Sequence, residues 1–265
     1  MNVAYAASPA KRHRRFRRVG NRDILPTVIG GALHRSFVDR ALRAALGKAL
    51  WIELKRFSAS GVRNLDISRI RGIDKVNVEG AVLRHCPLVL TALARLLECD
   101  AIFEFGTYRG DTSWLLAHNL PEARIFTLDL AGPEAVEQAE LDVTDPEYFE
   151  RWDRGARFRG TREASRITQL FGDSATFDFA PFSGKMDLVY IDASHSYSYA
   201  RSDTEAAFGM LSETGTIVWD DYTHYPGLYA YLNELAPSLD GPIFHLLGTR
   251  LALYSRWEIV VPDPQ

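Results

Sequence analysis

The chain is poor in residues that staple or anchor a protein. It has two cysteines, Cys86 and Cys99, in 265 residues. They offer neither a disulfide framework nor the ligand spacing of a zinc site. Both fall in or beside one predicted helix, and a reducing, cytoplasmic setting is the expectation. No run of 18 apolar residues occurs, so no transmembrane helix is expected. The N-terminal cations have no apolar stretch directly behind them, which argues against a secretory signal. A G-x-S-x-G nucleophile turn is missing, as is a phosphate loop. Internal repeats and low-complexity tracts are missing too.

What is there begins with an ordinary apolar content of 46%, enough for a sizeable core. The length fits one large domain plus an extension. Charge is uneven. Residues 1–75 carry 17 Lys and Arg against 5 Asp and Glu, and the remainder carries 14 against 29. The basic part is expected to meet something acidic: its own domain, a second subunit, a membrane surface or nucleic acid. Residues 1–30, with KRHRRFRR at 11–18, read as a disordered, solvated tail. Residues 31–77 read as a helical extension. Val38, Ala41, Leu42, Ala45, Leu46, Ala49, Leu50 and Ile52 there follow helical spacing. That helix serves either a homo-oligomer contact or lid docking, or it packs on its own domain. Residues 78–265 form the main domain. It opens with a buried helix over 78–98 that Pro87 bends or splits.

The main domain is organised around Ala101–Leu130, which reads as strand, glycine turn, helix and strand. A dinucleotide turn requires G-x-G-x-x-G, in which the second glycine admits the pyrophosphate. Tyr108 stands at that place, so the pattern is Glu104-x-Gly106-x-x-x-Gly110. Asp129 ends the second strand, where a carboxylate can accept two ribose hydroxyl protons. An acidic then basic segment, 131–165, reads as one or two short helices broken at Asp145-Pro146 and lying over the carboxyl ends of the strands. Further strands are expected at 167–171, 186–192 and 215–220, with helices over 197–211 and 228–235 between and after them. A hairpin over 243–254 ends the domain.

Three carboxylates stand out. Asp192 ends the fourth strand, and Asp220 and Asp221 end the fifth. Parallel strands place these ends on one edge, with neighbouring strands about 5 Å apart. Carboxylates so placed repel unless a cation holds them. Oxygen ligands suit Mg²⁺, Mn²⁺ or Ca²⁺ rather than zinc. The plainer reading is one helix-capping aspartate and two solvated ones. His195 is the base candidate, since imidazole titrates nearest neutral pH. Its plainer role is to cap the helix that begins near Ser196. Asp173 is otherwise a simple turn residue.

The E-x-G-x-x-x-G turn, followed by Asp129, resembles that of class I S-adenosylmethionine (SAM) methyltransferases. The resemblance covers roughly residues 80–256. It implies a Rossmann-like α/β fold, with a mostly parallel seven-stranded sheet, helices on both faces and a C-terminal antiparallel hairpin. It implies SAM as cofactor, held by Glu104, Gly106, Tyr108, Gly110, Thr112, Asp129, Asp173 and Ser174. Asp192, Asp220 and Asp221 resemble the metal site of O-methyltransferases of the catechol and macrolide-sugar (macrocin) types, which implies Mg²⁺ or another divalent cation. The 28-residue step from Asp192 to Asp220 matches the catechol type. That type has lysine three residues after its first metal aspartate, where this chain has His195. The sugar type has a carboxylate two residues after, where this chain has Ser194. The string D-A-S-H-S-Y looks like the D-G-x-H-x-Y of uncharacterised relatives. The implied reaction is O-methylation of a hydroxylated small molecule: a sugar, a phenol or a natural product. The [DN]-P-P-[YF] string of amino-methyltransferases that act on DNA bases is missing, so no specific nucleic acid is expected. The rival reading is a non-catalytic SAM-binding or scaffold protein, attached to an acidic surface by its basic N-terminus.

Overall fold

The structure, a computed structural model, describes residues 13–15, 86–141, 143, 153–241, 243–246, 249–256 and 258–260. The proposed helical extension, nearly all of the basic tail and the Asp145-Pro146 break lie outside these residues. His13–Arg15 pair in parallel with Glu258–Val260 as a separate two-stranded sheet.

Seven strands build the main sheet: β1 (Ala101–Phe105), β2 (Arg124–Asp129), β3 (Ile167–Phe171), β4 (Met186–Ile191), β5 (Leu211–Trp219), β6 (Phe244–His245) and β7 (Ala252–Ser255). Their order is β3-β2-β1-β4-β5-β7-β6. The first five run parallel, and β7 joins β5 antiparallel and carries β6 as its hairpin partner. This is the expected Rossmann-like sheet. The main helices are α1 (Cys86–Leu96), α2 (Asp111–Asn119), α3 (Pro133–Glu137), α4 (Tyr197–Met210) and α5 (Pro226–Leu235).

The continuous apolar runs of β1, β4 and β5 are buried on both faces, which a parallel sheet between two helical layers demands. Alternation sorts the side chains. Ile102, Leu188, Tyr190 and Val218 face α1 and α2. Phe103, Phe105, Val189, Ile191, Ile217 and Trp219 face α4 and α5. Trp219 is fully buried, and its indole N–H donates to Thr204 Oγ1 at 2.9 Å, so no donor is stranded.

The helix expected over 78–98 is described only from Cys86, so the bend or split expected at Pro87 falls at the edge of the described residues. One boundary differs from expectation. β5 begins at Leu211 rather than near 215, because its pairing with β4 slips: Met186 faces Leu211 while Leu188 faces Thr216. Gly215 fits the irregularity, since a Cβ there would lie 2.8 Å from the Met186 carbonyl oxygen. No helix among the described residues is long and apolar enough to cross a membrane.

The strand order reverses between β1 and β4. In open α/β sheets the crevice outside the carboxyl ends at that point takes ligands. Here the loops after β1, β4 and β5 meet.

Candidate active site

The turn after β1 is a close fit. Gly106 has φ +91°, and a Cβ on it would lie 2.0 Å from the carbonyl oxygen of Asp192. The turn after β1 therefore rests directly on the loop after β4. Gly106 N–H donates to Leu128 O at 2.8 Å, and Asp192 N–H donates to Phe105 O at 3.0 Å. Tyr108 is a non-glycine residue at φ +45°, and its N–H donates to Asp129 Oδ2 at 2.7 Å. Gly110, at φ +84°, ends the turn against the Phe158 ring, 2.5 Å from where a Cβ would stand. Thr112 lies in the first turn of α2, partly exposed.

Glu104 does not open toward the crevice. It is fully buried under α2 and accepts from Thr127 Oγ1 at 2.7 Å and from Ser113 Oγ. Burial pushes its carboxyl up to about 7, against the two hydroxyl donors and with some help from Asp129 and Asp111. A carboxyl raised in the folded state lets the folded protein hold its proton more tightly than the unfolded chain does. Stability then falls as pH rises from about 4.5 through about 7, and stays lower above. Glu104→Gln is expected to flatten that part of the stability curve. It should raise stability at pH 8 by on the order of 3 kcal/mol, with little change at pH 5, as read by urea unfolding at the two pH values.

Asp129 accepts Tyr108 N–H on Oδ2 and Leu130 N–H on Oδ1, the latter at 2.8 Å. Arg154, which the sequence reading missed, stands 3.3 Å from Asp129 Oδ2 and 5.7 Å from the Tyr108 ring centre. Burial raises the Asp129 carboxyl, and the Arg154 guanidinium opposes this. Arg154 belongs to the 131–165 segment, of which residues 142 and 144–152 lie outside the described residues; its described part meets the turn after β1. Gly155 N–H donates to Tyr108 O and Arg157 N–H to Arg109 O, each at 2.9 Å. Asp173, after β3, accepts from Ala175 N–H and Tyr199 O–H on Oδ1 and from Glu140 N–H on Oδ2. Ser174 lies near Asp203 of α4, whose carboxyl burial pushes up to about 7.

The second group of residues forms around the ends of β4 and β5. Asp192, His195 and Asp221 each offer one ligand atom, and those atoms lie within 4.8 Å of one another. His195 Nε2 is 3.7 Å from Asp221 Oδ2 and 4.0 Å from Asp192 Oδ1. The ring stacks on Tyr225, with centres 4.1 Å apart and planes 10° from parallel. His195 does not cap α4. Ser196 does, accepting Tyr199 N–H at 3.1 Å. Gly227 locks the start of α5 onto the same stretch, since a Cβ there would lie 2.7 Å from His195 O and 2.6 Å from Tyr197 N.

Asp220 is not in that group. Strand alternation puts it on the Tyr190 face, where Tyr190 O–H donates to Asp220 Oδ2 at 2.8 Å and Asp221 N–H donates to Oδ1 at 2.8 Å. The buried Cys86 thiol lies near Asp220; burial, with the nearby carboxylate, pushes that thiol up to about 12. Asp192 is the open member, its side chain 34% exposed. Its carboxyl lies above the usual range, from the desolvation of its inward side and from the Asp220 and Asp221 charges, while its outer side stays open to solvent. Asp221, at φ +59°, is raised by burial and by Asp220, with Arg250 opposing. Arg250 and Tyr190 are the two residues here that the sequence reading did not single out.

Residues 103–222 match a family model described as a methyltransferase domain. The match runs from β1 through the residues after β5, so it contains both groups of residues. The comparison with curated proteins found no match. Among solved structures, the chain is similar to the methyltransferase PaMTH1 of Podospora anserina, solved with SAH bound, at 17% identity over 65% of this chain and 77% of that one, TM-score 0.48. It is similar to a methyltransferase from Geobacter sulfurreducens at 16% identity over 66% and 79% of the two chains, TM-score 0.46. It is also similar to the O-methyltransferase TomG of Streptomyces achromogenes, involved in tomaymycin synthesis and solved with SAM, at 17% identity over 83% and 97%, TM-score 0.44. The glycine turn over a carboxylate-ended second strand and the Rossmann-like seven-stranded sheet thus coincide, over residues 103–222, with the match to a methyltransferase domain.

Proposed function

We propose that the enzyme transfers the methyl group of SAM to a hydroxyl of a small molecule. SAM lies along the carboxyl ends of β1–β3, its ribose at Asp129, its adenine beside Asp173 and Ser174, and its methionine end near Tyr108 and Thr112. The acceptor lies over the ends of β4 and β5. His195 takes the hydroxyl proton, and the oxygen attacks the methyl in line with the departing sulfur. Most of the rate enhancement is positioning and charge placement. The observation that carries this reading is the placing of the His195 imidazole between two carboxylates, on the loop that the cofactor turn touches through Gly106.

The donor set also suits a hard divalent cation, with Asp192 and Asp221 Oδ2 as its carboxylate ligands. Asp220, expected from sequence as a third, is occupied by the Tyr190 O–H and the Asp221 N–H. Such a cation lowers the pKa of a hydroxyl bound to it. The test is methyl transfer from radiolabelled SAM to a panel of catechols, phenols, sugars with neighbouring hydroxyls, and amines, with Mg²⁺ and with EDTA. Transfer to a hydroxyl acceptor, much reduced by EDTA, is expected. Transfer undiminished in EDTA removes the metal, and transfer to amines alone removes O-methylation.

A further inference from the structure

Like charges at adjacent strand ends need a counter-charge, and one comes from the terminal hairpin. Arg250 follows a turn in which Thr249 Oγ1 donates to Leu246 O at 2.7 Å and accepts Leu251 N–H at 3.0 Å. Its carbonyl accepts Tyr222 N–H at 2.8 Å, tying the hairpin to the residues after β5. Its side chain is only 16% exposed. Nη1 pairs with Asp221 Oδ1, and Nη2 lies 4.0 Å from Asp220 Oδ2. Cys86, whose buried thiol lies near the same Asp220, is a close neighbour.

We propose that Arg250 is a positioning residue, the resident counter-cation that neutralises the Asp220–Asp221 corner and turns Asp221 Oδ2 toward His195. It divides the acidic cluster in two. The closed half is Asp220 and Asp221 Oδ1, held by the guanidinium and the Tyr190 hydroxyl. The open half is Asp192, Asp221 Oδ2 and His195, which face the acceptor. This division rests on the reading of His195 and Asp221 as the reacting edge. A group that orients the partner of a base is a recurring arrangement, and here the orienting charge arrives from a separate hairpin. One consequence follows for any divalent ion: it serves the acceptor, and the corner keeps its shape without it.

The test compares the full-length wild type with Arg250→Gln, Arg250→Lys and Arg250→Ala. Turnover, SAH affinity and melting temperature are each read in EDTA and in Mg²⁺. Mg²⁺ is expected to raise the wild-type melting temperature less than that of Arg250→Gln, because in the wild type only the open half takes the ion. Arg250→Gln should lose roughly 10- to 100-fold in kcat, the scale of losing a supporting partner, with SAH affinity kept. Its melting temperature should rise with Mg²⁺, because the uncompensated carboxylates then need the ion. Arg250→Lys and added guanidinium ion on Arg250→Ala should each restore part of the turnover. Wild-type turnover in Arg250→Gln overturns the proposal. So does a loss that neither lysine nor guanidinium restores. Should Arg250→Gln and Arg250→Ala fail to fold, Arg250→Lys carries the test: full wild-type turnover with a Mg²⁺-dependent melting rise no larger than the wild type's overturns the proposal. If no acceptor is ever methylated while the melting behaviour is as expected, the hydroxyl-transfer reading fails and the role of Arg250 at the corner stands.

Discussion

Gly106→Ala is expected to abolish SAH and SAM binding and to destabilise the domain by about 3 kcal/mol or more. Two costs combine. The φ of +91° is one that L side chains rarely adopt, a strain of order 1–3 kcal/mol. The added methyl would also stand 2.0 Å from the Asp192 carbonyl oxygen, so backbone must move, at a further ~1–3 kcal/mol. Neither side yields easily. Gly106 N–H is bonded to β2, and Asp192 N–H is bonded to β1. Relief comes only by parting the turn from the loop after β4, which pulls the cofactor turn away from Asp192 and His195. Gly132→Ala is the control, since its backbone is extended at φ 179° and no atom lies within 4 Å of a Cβ there. Calorimetric titration with SAH and urea unfolding of both variants check the claim. SAH affinity in Gly106→Ala equal to that of Gly132→Ala would sink it.

The second large effect is on turnover. His195→Gln keeps a planar polar group of similar reach and can still lie on Tyr225, but it accepts no proton at neutral pH. A positioned general base contributes roughly 10²- to 10⁴-fold, so kcat should fall by about that factor while SAH affinity holds. The separation is the point of the measurement. His195 lies beyond β4, and the expected ribose contacts lie at β2, so a pure base defect leaves cofactor binding alone. A variant that retains near-full turnover removes the base assignment. One that loses SAH binding in parallel shows the ring to be a structural part of the loop.

Much of the sheet was readable because burial on both faces writes itself into the sequence as unbroken apolar runs: AIFEF, MDLVYI and TIVW admit few other readings. The start of β5 was not readable, because a slipped register leaves no period to detect. The site was readable by residue type and less so by orientation. Glu104 is an acid beside a glycine turn, and sequence alone suggests that it meets the cofactor's cations. Its place under α2 depends on Ser113, nine residues on, folding back over β1. Asp220 and Asp221 look interchangeable in the string WDD. Parity along β5 separates them: Val218 and Asp220 share the Tyr190 face, so only Asp221 turns to the crevice. Arg250 had no signal at all. An arginine after Gly-Thr in a hairpin reads as a solvated turn residue, and only the antiparallel return of β7 beside β5 brings it to the aspartates.

The contact at Gly227 bears on how such an enzyme could acquire a new acceptor. Tyr225, which stacks on His195, begins the helix whose second residue lies flat on the His195 and Tyr197 backbone. His195 and the Tyr225 ring therefore form a single packed unit: on the proposed reading, a change that moves the ring disturbs the proton transfer with it. Selection for a different acceptor is steered toward the segment after β2, which touches the glycine turn through Gly155 and Arg157 and leaves His195 alone. Divergence in this lineage should accumulate there first, with the stretch from His195 to Tyr197 and the start of α5 changing together or not at all.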